Sequence, residues 1–68
     1  MPKLYSSAHI IGILRKNGFG KSGQKGSHVK FRKDDRVVII PDNRKEIPLG
    51  TFFSILRQSG LKREDFEK

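Results

Sequence analysis

The chain of 68 residues predicts an α+β sandwich, with two helices on one face of a three-stranded antiparallel sheet. Three observations predict it. Apolar residues recur at helical spacing near both ends of the chain, the period changes to two between Phe19 and Ile40, and short polar turns separate the alternating runs. A chain of this length has room for one domain, taken as residues 1–68. So short a domain buries only about 60% of the surface its unfolded chain exposes, which argues against a deep cofactor cavity.

The first helix is expected from Ser6 to Asn17. Ser6 or Ser7 supplies an N-cap oxygen, and Asn17-Gly18 is a usual C-terminal stop. Ala8, Ile10, Ile11, Ile13 and Leu14 make its apolar arc, continued by Leu4, while His9, Gly12, Arg15 and Lys16 fall on the water side. Three strands are expected next, over Phe19–Gln24, Ser27–Arg32 and Arg36–Ile40. Lys25-Gly26 forms the first reversal and Lys33-Asp34-Asp35 the second. Ser27–Arg32 is then the middle strand, with Val29 and Phe31 on its core face and His28, Lys30 and Arg32 on the other.

The third strand, Val37-Val38-Ile39-Ile40, is apolar on both faces and lies at a sheet edge, so either Val38 and Ile40 or their neighbours look outward. Pro41 to Glu46 is a loop by composition. A second helix follows from Leu49 to Ser59, stopped by Gly60, with Leu49, Phe52, Phe53 and Leu56 as its core stripe. Lys62–Glu67 adds a short turn that tucks Phe66 down.

Charge narrows the function. The net charge is +8, and three of the seven acids, Glu64, Asp65 and Glu67, stand in the last five residues. Residues 1–63 carry fourteen Lys and Arg against four acids. A small body with that field attracts polyanions, of which nucleic acid is the commonest in the cytosol. The absence of cysteine removes disulfides and thiolate metal sites. No apolar run of about 18 residues points to a membrane, and nothing argues for export, so the cytoplasm is the expected compartment.

The candidate chemistry centres on Gly26-Ser27-His28, with Lys25 before it and Lys30 after. The two histidines stand on different elements with no acids clustered near either, which does not suit a metal. Ser27 and His28 are strand neighbours that would point to opposite faces, which disfavours a serine–histidine pair. The glycines lack the spacing of a phosphate-cradling loop. Acid–base work by histidine is left, since its unperturbed pKa of roughly 6.5 lets it take and give protons near neutrality.

RNA carries its own nucleophile. A base that removes the 2′-hydroxyl proton lets that oxygen attack the adjacent phosphorus, giving a cyclic phosphate and a free 5′-hydroxyl. On this reading His28 is the base, Lys30 and Arg32 hold the scissile phosphate, Lys25 assists from the turn, and Gly26 and Ser27 meet the RNA there. Arg44 and Lys45 precede the second helix, and Gly50 and Thr51 lie at its start, where a phosphate could dock. The competing account of Gly50 is close helix–sheet packing. The competing function is a non-catalytic RNA-binding module of the same fold, and a third is a ribosome-associated structural protein.

Several segments together resemble one family. Lys25-Gly26-Ser27-His28 leading into a strand with Phe31, Asn17-Gly18-Phe19 after the first helix, and Glu46 to Leu56 with its Gly50-Thr51 pair, followed by Gln58-Ser59-Gly60-Leu61, are similar to the HicA (YcfA-like) mRNA interferase toxins. The resemblance spans almost the whole chain. It implies a fold like the double-stranded-RNA-binding domain, with His28 as the catalytic residue. It also implies metal-independent cleavage of messenger RNA without a small-molecule cofactor, and neutralisation by a HicB-type antitoxin. The outward residues of the third strand would be a docking surface for that antitoxin. Pro48, where family members often carry a charge, and an extended acidic tail depart from the pattern, and neither touches the histidine turn.

Overall fold

The computed structural model describes residues 3–67. Its elements are α1 (Ser7–Lys16), β1 (Gly20–Lys25), β2 (His28–Lys33), β3 (Arg36–Pro41), α2 (Leu49–Ser59) and α3 (Arg63–Phe66). The strands form one antiparallel sheet in the order β1-β2-β3. The α+β architecture and the central place of β2 are as the sequence predicts. Val29, Phe31, Val38 and Ile40 point inward from the sheet. They pack with Ile10, Ile13 and Leu14 of α1, Phe52 and Ile55 of α2, and Phe66 of α3. Burying apolar surface at about 25 cal/mol per Å² is the main driving force for this arrangement.

The ends of α1 follow from its sequence. The Ser6 side chain accepts from the His9 N–H at 3.1 Å, which satisfies one orphan donor of the first turn. Arg15 and Lys16 sit in the last turn, where the helix dipole favours cations.

Contacts between elements overrule several positions in the periodic reading. Ala8 is exposed and Ser7 is buried in its place. The Ser7 hydroxyl donates to the Pro41 carbonyl at 2.6 Å and accepts from the Arg44 N–H at 2.9 Å, so the buried hydroxyl is fully used. His9 is half-buried, not a water-facing residue. Its ring stacks on Tyr5 at 4.8 Å between centroids, and its Nε2 pairs with the Phe66 carbonyl at 2.5 Å. His9 therefore ties α1 to α3 and fastens Phe66 over the core.

On α2 the core stripe is Phe52, Ile55 and Ser59, with Leu49 and Leu56 half-buried. Phe53 is 42% exposed and lies under the Arg63 guanidinium at 5.6 Å. Ile47 and Tyr5 join the core from segments that periodicity could not assign.

The first reversal is Gly26-Ser27, one residue later than predicted, because Lys25 pairs directly with His28. Gly26 has φ +59 while Ser27 stays in the ordinary region, the sign pattern of a type II′ hairpin turn. The shift makes His28 the first residue of β2. At the other hairpin Lys33 pairs with Arg36, so Asp34-Asp35 forms the reversal.

β3 is an edge strand with one outward donor already occupied. The Ile39 N–H donates to Gln58 Oε1 of α2 at 2.9 Å. Next to it, Gly60 ends α2 in the left-handed region at φ +74, and the Arg36 guanidinium lies 2.7 Å from where a Cβ would stand. Gly60→Ala is expected to cost about 1–2 kcal/mol for placing an L-residue in that region. The guanidinium, at the end of a flexible side chain, can move aside. Thermal unfolding followed by circular dichroism should show a midpoint lower by about 4–8 °C for each kcal/mol lost.

Candidate functional site

Register assigns the outward face of the sheet. Residues opposite one another in an antiparallel pair share a face, so three rungs cross it: Lys25–His28–Pro41, Gly23–Lys30–Ile39 and Gly20–Arg32–Val37. The middle of each rung is polar and exposed: His28, then Lys30, then Arg32. Successive members stand roughly 7 Å apart along the strand, at about 3.3–3.4 Å per residue.

The two flanks differ. On the β1 side, Gly20 and Gly23 carry no side chain, and a Cβ at either position would meet no atom within 4 Å. Neither has a positive φ, so neither packing nor backbone conformation demands glycine there. Their effect is to leave the cations uncovered. On the β3 side, Val37 and Ile39 are 38% and 36% exposed while Val38 and Ile40 are fully buried. Of the two alternatives for this strand, the outward pair is therefore Val37 and Ile39, and the reason is register, since Val38 lies opposite the buried Phe31.

His28 sits in a shallow cleft of about 410 Å³ lined by Gly23, Gln24, Lys25, His28, Lys30 and Ile39. Lys25 faces His28 directly across the β1–β2 ladder, and Lys30 follows it on the same strand face. The structure thus brings Lys25, His28 and Lys30 together, with Gly26 and Ser27 forming the adjoining turn. Arg32 is on the same face but outside the cleft, and its Nε donates to the Asp34 carbonyl at 2.9 Å, at the far hairpin.

Arg44, Lys45 and Thr51 do not line the cleft. Arg44 is exposed, with its backbone held by Ser7 through the Arg44 carbonyl, which accepts from Ser7 N–H at 2.9 Å, and through its own N–H. Lys45 is exposed, and Thr51 is half-buried in the first turn of α2. That helix begins after Pro48 with no side-chain cap and no acidic residue in its first turn. A Cβ at Gly50 would meet nothing within 4 Å, so close packing does not account for glycine there.

Two residues of the cleft escape sequence reading. Ile39 enters through the β2–β3 register. Gln24 is paired with Val29, yet its side chain reaches around the edge of the sheet to touch the histidine turn. Neither carries a local signal, because each depends on which strand lies alongside. Among the described residues, no three His, Asp or Glu side chains group as metal ligands. No helix among them is long and apolar enough to cross a membrane.

What the arrangement can do follows from its parts. An exposed imidazole can exchange protons with a bound molecule. Flanking ammonium groups attract anions such as a phosphodiester, and the bare glycine flank leaves that side of the face open. The family model described as "HicA toxin of bacterial toxin-antitoxin" matches residues 7–61, from the start of α1 to just beyond α2, and includes the whole sheet and the histidine turn. No curated protein matches the chain.

Proposed function

The chain belongs to the HicA toxin family, and from that premise we propose that it is a metal-independent endoribonuclease that cuts messenger RNA in the cytoplasm and uses His28 for acid–base catalysis. The toxin–antitoxin setting comes with the family; the reaction and the residue roles are our reading. The observation that carries it is an exposed histidine on the middle strand, with Lys25 across from it and Lys30 beside it, in an open cleft.

In the reaction, His28 accepts the proton of a ribose 2′-hydroxyl. The freed oxygen bonds to the neighbouring phosphorus, the bond from phosphorus to the 5′-oxygen breaks, and that oxygen leaves after taking up a proton. Lys30 holds the scissile phosphate as its charge grows, and Lys25 assists from the β1 end of the turn. Arg32, anchored one rung farther along, holds the next part of the RNA backbone. A positioned general base contributes about 10²–10⁴-fold, and a preorganised charge contact about 10²–10³-fold.

Arg44, Lys45 and the uncapped start of α2 at Thr51 serve as a separate backbone contact. A HicB-type antitoxin docks on the outward Val37 and Ile39, of which Ile39 lines the histidine cleft, and so covers His28.

The direct test is to incubate purified protein with messenger RNA in EDTA and identify the new ends. The expected products carry 2′,3′-cyclic phosphate and 5′-hydroxyl termini. Intact RNA, or cleavage that appears only when a divalent ion is restored, would contradict the proposal. The cations alone would suit a non-catalytic RNA-binding module equally well, and such a module leaves the RNA whole.

A further inference from the structure

Beneath the histidine turn lies a polar contact that the reaction as written does not use. Gln24 of β1 has the inward-facing Val29 as its ladder partner, and its side chain reaches around the end of the sheet beside the histidine turn. There its Nε2 donates to the Gly26 carbonyl at 3.3 Å and to Asp42 Oδ2 at 3.2 Å. Its Oε1 accepts from Lys21 Nζ at 3.0 Å. The orientation of the carboxamide is determined by these partners, since an ammonium only donates and a carboxylate only accepts.

Asp42 belongs to the loop after β3, and its N–H donates to the Ser27 carbonyl at 2.6 Å, one step beyond the last ladder pair, His28–Pro41. The Gly26-Ser27 turn is therefore held at both of its residues. One hold comes from Gln24 on β1, the other from Asp42 beyond β3, and the two are joined side chain to side chain across the end of β2.

We propose that Gln24 and Asp42 are positioning residues for His28, forming a carboxamide–carboxylate strut that spans from β1 to the β3 end beneath the turn and fixes where the imidazole stands. The inference rests on the reading of His28 as the base. Its physical content is that a two-residue hairpin turn at an exposed end of a sheet has little burial to hold it still. A base displaced by even about 1 Å from its proton can lose up to about 10²-fold in rate. The strut replaces burial with two directed contacts. Asp42 does not line the histidine cleft, so removing it should alter the turnover step and leave binding to the cations.

The test compares wild type, Q24A, D42A, D42N and H28A on one transcript that the wild type cuts, in EDTA. Q24A and D42A are expected to lower kcat about tenfold, with KM changed less than about twofold in D42A. D42N keeps an oxygen able to accept from Gln24 and should recover most of kcat. Wild-type turnover in Q24A and D42A would overturn the strut, and so would a D42N as slow as D42A, because charge would then be the cause. In D42A, a KM effect without a kcat effect would also overturn it.

A second readout does not depend on activity. Amide hydrogen exchange at His28 and at position 42, whose N–H donates to the Ser27 carbonyl, should quicken about tenfold relative to the intrinsic rate in Q24A and D42A if the strut holds the turn. Unchanged exchange overturns the strut whatever the RNA does. H28A separates the two ideas: if it cuts like wild type, the catalytic reading of His28 fails, and exchange still decides whether the turn is braced.

Discussion

Replacement of His28 by alanine is expected to give a folded protein that still binds RNA and no longer cuts it. The ring is exposed and stands outside the hydrophobic cluster, so folding should change by no more than about 0.5 kcal/mol, the usual range for such surface positions. Lys25, Lys30 and Arg32 remain, and with them the electrostatic attraction that dominates affinity and weakens as salt rises. Cleavage should fall by about 10²–10⁴-fold, the usual contribution of a general base. Single-turnover cleavage of a labelled transcript measures the chemistry, fluorescence anisotropy of the same RNA measures binding, and far-ultraviolet circular dichroism checks the fold. An H28A protein that cuts at the wild-type rate would remove histidine from the mechanism. The same substitution should relieve growth arrest when the chain is expressed without its antitoxin.

Phe31→Ala, three positions along the same strand, should act in the opposite manner and destroy the fold. Phe31 is 1% exposed on the inward face, opposite Val38, with the Arg15 guanidinium over its ring at 5.3 Å. Truncating a buried phenylalanine costs about 3–5 kcal/mol through lost transfer energy and the cavity left behind. A domain of this size is stable by only about 3–10 kcal/mol at roughly 0.05–0.15 kcal/mol per residue. The substitution should therefore leave a large unfolded population near physiological temperature, visible as loss of a cooperative thermal transition. Loss of RNA cleavage would accompany loss of structure, in contrast to H28A. A cooperative F31A transition within about 5 °C of wild type would mean that the sheet does not depend on this contact as the packing indicates.

The contrast between these positions shows why much of the site was legible before any coordinates. In a strand the side chains alternate, so Val29 and Phe31 going to the core obliges His28, Lys30 and Arg32 to face outward. The histidine turn, its glycine and the neighbouring cations are adjacent in sequence and needed no long-range information. Phe53 shows where the same logic fails. It matched the helical stripe as well as Phe52 did, yet α2 is rotated so that Ile55 takes the core and Phe53 meets Arg63. Periodicity locates an apolar arc, and its two edges are indistinguishable until the sheet beneath selects one. His9 fails for a related reason: it is polar and lies off the arc, but α3 returns to cover it with the Phe66 carbonyl.

Taken alone, the amino-acid order determined the succession of helices and strands, the middle position of β2 and the face on which its imidazole stands. Those features depend on neighbours a few residues apart, where backbone geometry imposes the period. Tertiary structure alone decided that Val37 and Ile39 look outward, that Gln58 covers part of the β3 edge, and that Gln24 meets Asp42 under the turn. Each of these joins residues brought together by strand register or helix rotation, and many local patterns are compatible with either choice. Only the closing of one shared core around Phe31, Val38, Ile55 and Phe66 removes the other choice, because a shift of one residue would carry the buried side chains to the solvent face.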